Sequence, residues 1–346
     1  MVSFGYSQSN ADHTLFIKYR LGKITVLIVY VDDIVITGDD HEEIQNLKQK
    51  LAREFEVKDL GKLKYFLGIE VARSKQGIFL SQQKYTLDLL EKMGMSGCRP
   101  ADTPIENHRL GRDDGVEIED ISGFQRLVGR LIYLSHTHPN ISYAVSVVSQ
   151  YMYTPKTRHV DAAHRILRYL KSSPGRGILF SPSTDLKIEV YTDADWARSV
   201  DDRRSTSGYC SLVGGNLVTW RSKKQQVVAR SSAEAEFRAM AHGVCEGLWL
   251  RALLSDLGLV EEGSIRLYCD NKSAISIAHN PVQHDRTKHI EVDRHFIKEN
   301  IERGIICTPF VPSNGQLADI LTKGLSGNYF DRIVNKLGMF NITRPT

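Results

Sequence analysis

Apolar and polar residues change their period several times along this chain, and each change marks an element. The first apolar segments, TLFIKY and ITVLIVY, are β-branched runs separated by Arg20 to Lys23, and IVITG follows directly after VDD. Runs of this kind predict strands, so the region reads as a hairpin with Asp32 and Asp33 at its tip. From His41 to Phe55 the apolar positions Ile44, Leu47, Leu51 and Phe55 recur at intervals of three and four, the stripe of a helix. Leu63 to Val71 returns to a strand pattern, and Gln82 to Lys92 predicts a helix that stops at Gly94. Arg99 to Asp120 is rich in charge, Gly and Pro without periodicity and reads as a linker. Helices are expected at Phe124 to Ser135, Ile141 to Tyr151 and Thr157 to Leu170, closed by Ser172-Ser173-Pro174-Gly175.

From Leu186 the order becomes strands, a long helix, a strand, helices, a strand and a helix. LKIEVYTD alternates, GYCSLV and LVTW flank the turn Gly214-Gly215-Asn216, and QVVA reads as a further strand. Ser232 is placed to cap a helix whose stripe is Ala233, Phe237, Met240, Ala241, Val244 and Leu248, with Gly258 ending it. IRLYC leads into Asp270, Ile290 to Arg303 is a helix, IICTPF a strand, Val311 to Gly315 a loop and Gln316 to Lys323 a helix. The fold class is therefore α/β, with helices packed on a mixed sheet.

Composition narrows the classes. The chain has 346 residues, 41% hydrophobic and 25% charged, which fits two or three globular domains and argues against extended disorder. Its longest apolar run, Ile24 to Val31, is too short to cross a bilayer. Five cysteines without a CxxC pair predict reduced thiols. The net charge of +4 says little, but Arg198, Arg203, Arg204, Arg221, Lys223, Lys224 and Arg230 are crowded into one stretch against only Asp201 and Asp202. Such a run suits a polyanion as well as it suits a solvated strand face.

Four acidic residues stand at element ends: Asp193 closes a strand, Glu236 opens the long helix, Asp270 closes another strand and Asp319 begins the last helix. Each alone reads as a solvated carboxylate. Together they suit a pair of magnesium ions roughly 4 Å apart, which need hard oxygen ligands from several elements, one ion activating water and the other stabilising the leaving oxygen.

The segments YTDADWA, SSAEAEF, LYCDNKSAI and VPSNGQLADILTKG resemble, in that order, the four motifs of the ribonuclease H domain of copia-type LTR retrotransposon polyproteins. The resemblance implies a ribonuclease H-like mixed sheet and a two-metal endonuclease that cuts the RNA strand of RNA–DNA hybrids. Asp193, Glu236, Asp270 and Asp319 would be catalytic and hold two Mg2+ ions, with Mn2+ able to replace them. Arg230, Ser231 and Ser232 would touch the hybrid, with Arg221, Lys223 and Lys224 holding its backbone. Cellular ribonucleases H carry a histidine shortly before the final aspartate, and VPSNGQLAD has none; His289 is a poor substitute.

The first half continues the resemblance. IVYVDDIVITG looks like a reverse transcriptase palm turn whose Asp32 and Asp33 would be metal ligands, LGKLKYFLGIEV like the primer-holding strands, and FLSQQKYTLDLLEKMGM like the thumb. FQRLVGRLIYLSHTHPNISYAV resembles the helical connection, with His138 and Asn140 where the family usually has Arg and Asp. The expected organisation is a partial palm over 1–76, a thumb-like segment and linker over 77–120, the helical connection over 121–185 and the ribonuclease H domain over 186–330. Fingers and an earlier palm aspartate would lie before Met1, so polymerase activity is not expected. The implied partners are an RNA–DNA hybrid and other parts of the polyprotein, without a membrane, in the cytoplasm, including virus-like particles, or in the nucleus. The alternative is a non-catalytic remnant that only grips nucleic acid. An integrase-type site is disfavoured, because it expects the order Asp, Asp, Glu.

Overall fold

The computed structural model describes residues 1–107, 109–259, 263–280 and 291–341, so His289 lies outside the described residues. Two compact units emerge, one formed by Met1–Leu67 with Leu248–Glu262 and the other by Gly68–Gly247 with Gly263–Thr346.

The first unit is built on the β-branched runs. β1 (Ser7–Gln8), β2 (Leu15–Arg20), β3 (Lys23–Tyr30) and β4 (Asp33–Gly38) form an antiparallel sheet in that order. α1 (His41–Glu54) and β5 (Tyr65–Phe66) follow. Alternation along the strands separates two apolar faces. Leu27 packs with Leu47 and Leu51 of α1, while Leu15, Ile17 and Val26 pack with Leu253 and Leu257. Asp40 caps α1 by accepting from the Glu43 N–H at 3.1 Å, and the Arg20 guanidinium forks onto the same carboxylate at 2.8 and 3.1 Å. Sheet and helix are thereby locked at the first turn. Tyr30 pairs with Asp33, which leaves Val31 and Asp32 as a tight turn with Val31 at φ 49°.

The second unit carries two sheets around shared helices. β6 (Ile69–Ser74), β7 (Gly77–Ser81), α2 (Gln83–Lys92), α3 (Ile121–Leu134), α4 (Pro139–Ser149), α5 (Thr157–Ser172) and β8 (Arg176–Phe180) come first. β9 (Ile188–Asp195), β10 (Thr206–Val213), β11 (Asn216–Lys224), α6 (Ser232–Asp256, whose residues from Leu248 onward count with the first unit), β12 (Ile265–Tyr268), α7 (Lys272–His279), α8 (Glu291–Glu302), β13 (Ile306–Cys307), α9 (Gly327–Lys336) and β14 (Met339–Asn341) complete it. One sheet runs β11-β10-β9-β12-β13, antiparallel as far as β9 and parallel beyond it. That order, with a long helix following the third strand, is the ribonuclease H-like mixed sheet. The other sheet has β8 between β7 and β14.

One large apolar cluster joins the two sheets. Leu131, Ile141 and Ile166 of α3, α4 and α5 pack in one cluster with Cys210, Leu212 and Leu217 of the mixed sheet and with Phe330, Ile333 and Met339 near the C-terminus. The expected boundaries at 120/121 and 185/186 fall inside this unit. The stretch read as a linker is tied down by its backbone. Ala101 donates to the Arg168 carbonyl at 3.1 Å, and the carbonyls of Leu110 and Val116 accept from Tyr151 and from the Thr157 N–H at 2.8 and 2.9 Å. Bonds of this kind leave no periodicity to read.

Other departures have equally local causes. QVVA is a loop, because β11 continues as far as Lys224; Gln225 then turns the chain by bonding the Ser207 hydroxyl and the Ala235 carbonyl at 2.8 and 2.9 Å. Ser231, not Ser232, caps α6: its hydroxyl accepts the Glu234 N–H at 3.2 Å while the Glu234 carboxylate accepts the Arg230 N–H at 2.8 Å. The segment expected as a final helix is a short 3-10 turn over Leu317–Leu321. β8, α9 and β14 were not expected at all; their amphipathic faces close the shared core.

This core generates a prediction. The segment 186–346 expressed alone exposes the face carrying Cys210, Leu212 and Leu217, losing apolar burial worth about 1.5–3 kcal/mol per large side chain. Calorimetry should find no cooperative transition for it, against a cooperative one for the full chain; a sharp transition within a few degrees of the full chain's would contradict a shared core.

Candidate metal centre and nucleic-acid face

Strand geometry brings the first two carboxylates together. β9 and β12 are adjacent and parallel with Tyr191 opposite Tyr268, so Asp193 and Asp270, each two residues further on, leave their strands side by side. α6 delivers Glu236 from its second turn, and it can lie close because Gly243 faces β9 and β12. A Cβ there would come within 2.5 Å of Thr192 Cγ2 and 2.9 Å of Leu267 Cδ1. The fourth carboxylate arrives on the 3-10 turn. Gln316 anchors that turn, donating to the Thr192 carbonyl at 2.9 Å and accepting from the Ala318 N–H at 3.2 Å. Gly208, opposite Asp193 on β10, leaves room for it, since a Cβ would stand 2.7 Å from Leu321 Cβ.

The result is a buried acidic cluster. One oxygen each of Asp193, Asp270 and Asp319 lie within 4.8 Å of one another, and Glu236, Cys269 and Asp270 form a second such group sharing Asp270. Asp193, Glu236 and Asp319 are buried and Asp270 is half-buried. All four residues expected at the site meet there. Burial and then the neighbouring Asp193 and Asp270 raise the Glu236 carboxyl well above its ordinary range. Burial and Asp193 raise Asp270 too, and push Asp319 up to about 7.

Reading the sequence did not single out what surrounds these acids. Lys323 Nζ lies 2.7 Å from Asp319 Oδ1 and 3.5 Å from Asp193 Oδ2. Thr322 donates its hydroxyl to Asp193, Tyr329 donates to Asp319 Oδ2 at 2.9 Å, and Ser313 donates to Asp270 Oδ2 at 2.8 Å. The i, i+4 spacing of Asp319 and Lys323 could have flagged the lysine; Tyr329, ten residues on, left no signal.

Buried carboxylates converging from four elements need a cation. The donor set is hard oxygen, which suits Mg2+ or Mn2+. One observation favours such an ion directly: among the described residues the buried Glu236 Oε2 has no hydrogen-bond partner. An unpaired buried oxygen of this kind is costly unless something of opposite charge meets it.

The basic stretch divides in two. Lys224 is engaged by Asp202 and the Ser199 hydroxyl, both at 2.9 Å, Arg204 lies 3.7 Å from Asp202, and Arg198 binds Asp195 at 3.0 Å. Lys224 is thus a weaker candidate for a backbone contact than its position suggested. Arg221, Lys223 and Arg230 are exposed and make no ion pair among the described residues; Ser231 and Ser232 are exposed beside Arg230. His242 on α6, exposed beside this stretch, is held below its usual range first by partial desolvation, with Asp293 opposing and Arg221, Lys223 and Arg238 reinforcing the shift.

In the first unit Asp32 and Asp33 are exposed at the β3–β4 turn. Among the described residues no third ligand gathers with them. All five cysteines are free.

A ribonuclease H-like sheet with a four-carboxylate centre, joined to a reverse transcriptase-like segment, defines the class. Residues 1–107 match the family model described as reverse transcriptase (RNA-dependent DNA polymerase). The chain is 40% identical over 343 residues to the retrovirus-related Pol polyprotein from transposon RE1 of Arabidopsis thaliana, which covers 99% of this chain and 23% of that protein. It is also 39% identical over 226 residues to an uncharacterized mitochondrial protein of the same plant, covering 65% of this chain and 94% of that one. The chain belongs to the retrovirus-related Pol polyprotein family of copia-type transposons, and spans about a quarter of the length of the polyproteins it matches. A solved structure described as LC11-RNase H1 in complex with RNA/DNA hybrid is similar at 15% identity, covering 39% of this chain and 94% of that chain with a TM-score of 0.30. At that score the sheet order and helix placement above carry the fold assignment by themselves.

The raised carboxyl groups set a pH dependence. A carboxyl whose pKa is higher folded than unfolded stabilises the fold fully below the unfolded value and ceases to as pH rises through the folded one. Without divalent ions the protein should therefore lose stability, on the order of 1–3 kcal/mol, between about pH 4 and the folded value of Asp319, about 7. Glu236→Gln should flatten that slope and raise the chelator melting temperature at pH 8, a gain that function forgoes. Thermal melts across pH in chelator check this, and a variant that melts lower than wild type at pH 8 would exclude crowded charge at this point.

Proposed function

We propose that the chain hydrolyses the RNA strand of RNA–DNA hybrids at the centre formed by Asp193, Glu236, Asp270 and Asp319, with Mg2+ held by these carboxylates and Mn2+ able to replace it. The observation that carries the reading is the convergence of four carboxylates from four elements, with the buried Glu236 Oε2 lacking any hydrogen bond or ion pair among the described residues, in the unit that also presents an exposed basic face. Bound there, a divalent ion would supply charge neutralisation at the phosphodiester and a more acidic water. The net reaction adds water to phosphorus and breaks one ester bond, the departing oxygen taking a proton.

The residues of the chain have separable tasks. Arg221, Lys223 and Arg230 attract and track the phosphate backbone, which the carboxylates alone would repel. Ser231 and Ser232, at the start of α6, offer hydroxyl and N–H donors beside the same face, where the helix N-terminus favours an anion. Tyr329, Thr322 and Ser313 fix the carboxylate rotamers, so the ligand geometry exists before an ion or substrate arrives. Partners elsewhere in a longer polyprotein belong to the same reading.

The full chain with Mg2+ on a strand-labelled hybrid tests it. RNA-strand cleavage is expected, reduced by about 100-fold or more in Asp270→Asn, because an amide donates where an ion needs an anionic oxygen. Binding without cleavage would leave the non-catalytic remnant standing. Replacing Arg221 and Lys223 together by Ala should lower the slope of log affinity against log salt by roughly two. Lys224→Ala, already paired with Asp202, should change it by less. An unchanged slope in the double variant would assign those side chains to a solvated face only.

A further inference from the structure

The carboxylates of the centre are not equivalent. On one side Asp193 and Asp319 already face a cation: Lys323 Nζ lies 2.7 Å from Asp319 Oδ1 and 3.5 Å from Asp193 Oδ2 as ion pairs, Thr322 donates to Asp193, and Tyr329 donates to Asp319 Oδ2 at 2.9 Å. On the other side Glu236 keeps an unpartnered buried oxygen, and Asp270 has the exposed Ser313 as its hydrogen-bond donor. The asymmetry is built by the five-residue run Asp319–Lys323, in which Asp319 lies on the 3-10 turn and Thr322 and Lys323 directly follow it.

We propose that Lys323 is a built-in cation that keeps a divalent ion off the Asp193–Asp319 side while no nucleic acid is bound, so that the free protein takes one ion, on the Glu236–Asp270 side. This rests on the reading of the cluster as a metal centre. A Mg2+ or Mn2+ ion binds a carboxylate oxygen at roughly 2.1 Å along the lone pair that the ammonium now faces. Both cations cannot use that direction at once. An ion that did enter would stand a few ångströms from a like charge in a half-buried place, where water screens poorly.

Other properties of Lys323 agree. Its side chain is 31% exposed, so the ammonium is neither sealed in as a structural ion pair nor free in solvent. Its ammonium stands between two buried carboxylates and serves as their counter-charge. Displacing it requires something that can offer the ammonium a replacement anion, and a phosphodiester arriving at the centre is such a group. Lys323 would thus confine the second ion to the substrate-bound state.

The test counts ions on the full chain without nucleic acid, by Mn2+ paramagnetic resonance and by calorimetric titration. The expected result is one Mn2+ bound by wild type at low millimolar concentration. Lys323→Met, which keeps length and removes charge, should bind two, with affinity for the second at least about tenfold higher than in wild type. Lys323→Arg, which keeps the charge, should again bind one. Two ions of similar affinity on wild type would overturn the proposal without reference to any variant, and so would unchanged counts in Lys323→Met that melts cooperatively. If none of the proteins binds Mn2+, the reading of the cluster as a metal centre falls, and this inference falls with it.

Discussion

Mutual repulsion among Asp193, Glu236, Asp270 and Asp319 is the constraint on which the rest of the second unit depends. Burial, and then the charge of the neighbouring acids, raises the proton affinity of Glu236, Asp270 and Asp319. Such a cluster persists only if the scaffold over-determines it. Here β9 and β12 fix two of the acids by parallel register, α6 presents the third where Gly243 admits the helix, and the Gln316-anchored turn presses the fourth into the space left at Gly208. Lys323 returns one positive charge to the cluster, and a divalent ion at Glu236 would return two more.

The mixed sheet is also packed against the helices that precede it. Its face below Cys210, Leu212 and Leu217 is covered by α4 and its neighbours, and α9 bears on the same core through Phe330, whose ring meets Tyr169 edge-on at 5.4 Å. Tyr329, next to Phe330, is the residue that holds Asp319. Packing of α9 and positioning of a site carboxylate are thus consequences of adjacent side chains, one facing the core and the other the cluster.

Sequence patterns disclosed most of this, for identifiable reasons. The strands of the first unit and α1 were legible because their faces are amphipathic over a full run, as with Leu15, Ile17, Leu47 and Leu51. The four carboxylates were legible because each follows or opens a recognisable element. Thr322 was not, because it follows a 3-10 turn where a helix was expected, and Tyr329 was not, because it sits on α9, an element the apolar pattern did not disclose. β8 and β14 are short strands of five and three residues, too brief to show a period. QVVA misled for the opposite reason: it is β-branched, but Val227 and Val228 are exposed in a loop beside the basic face. The paired state of Lys224 depends on Asp202 across a turn and could not be read from a count of charges.

The central claim is that these four carboxylates form one divalent-cation site in the folded chain. Thermal unfolding of the full chain over a series of Mg2+ concentrations tests it most directly, because an ion that binds only the folded state raises the melting temperature progressively with its concentration. Wild type should melt higher with each increment of Mg2+, and Asp270→Asn should respond much less. A melting temperature that does not move with Mg2+, or that moves equally in both proteins, would contradict the account.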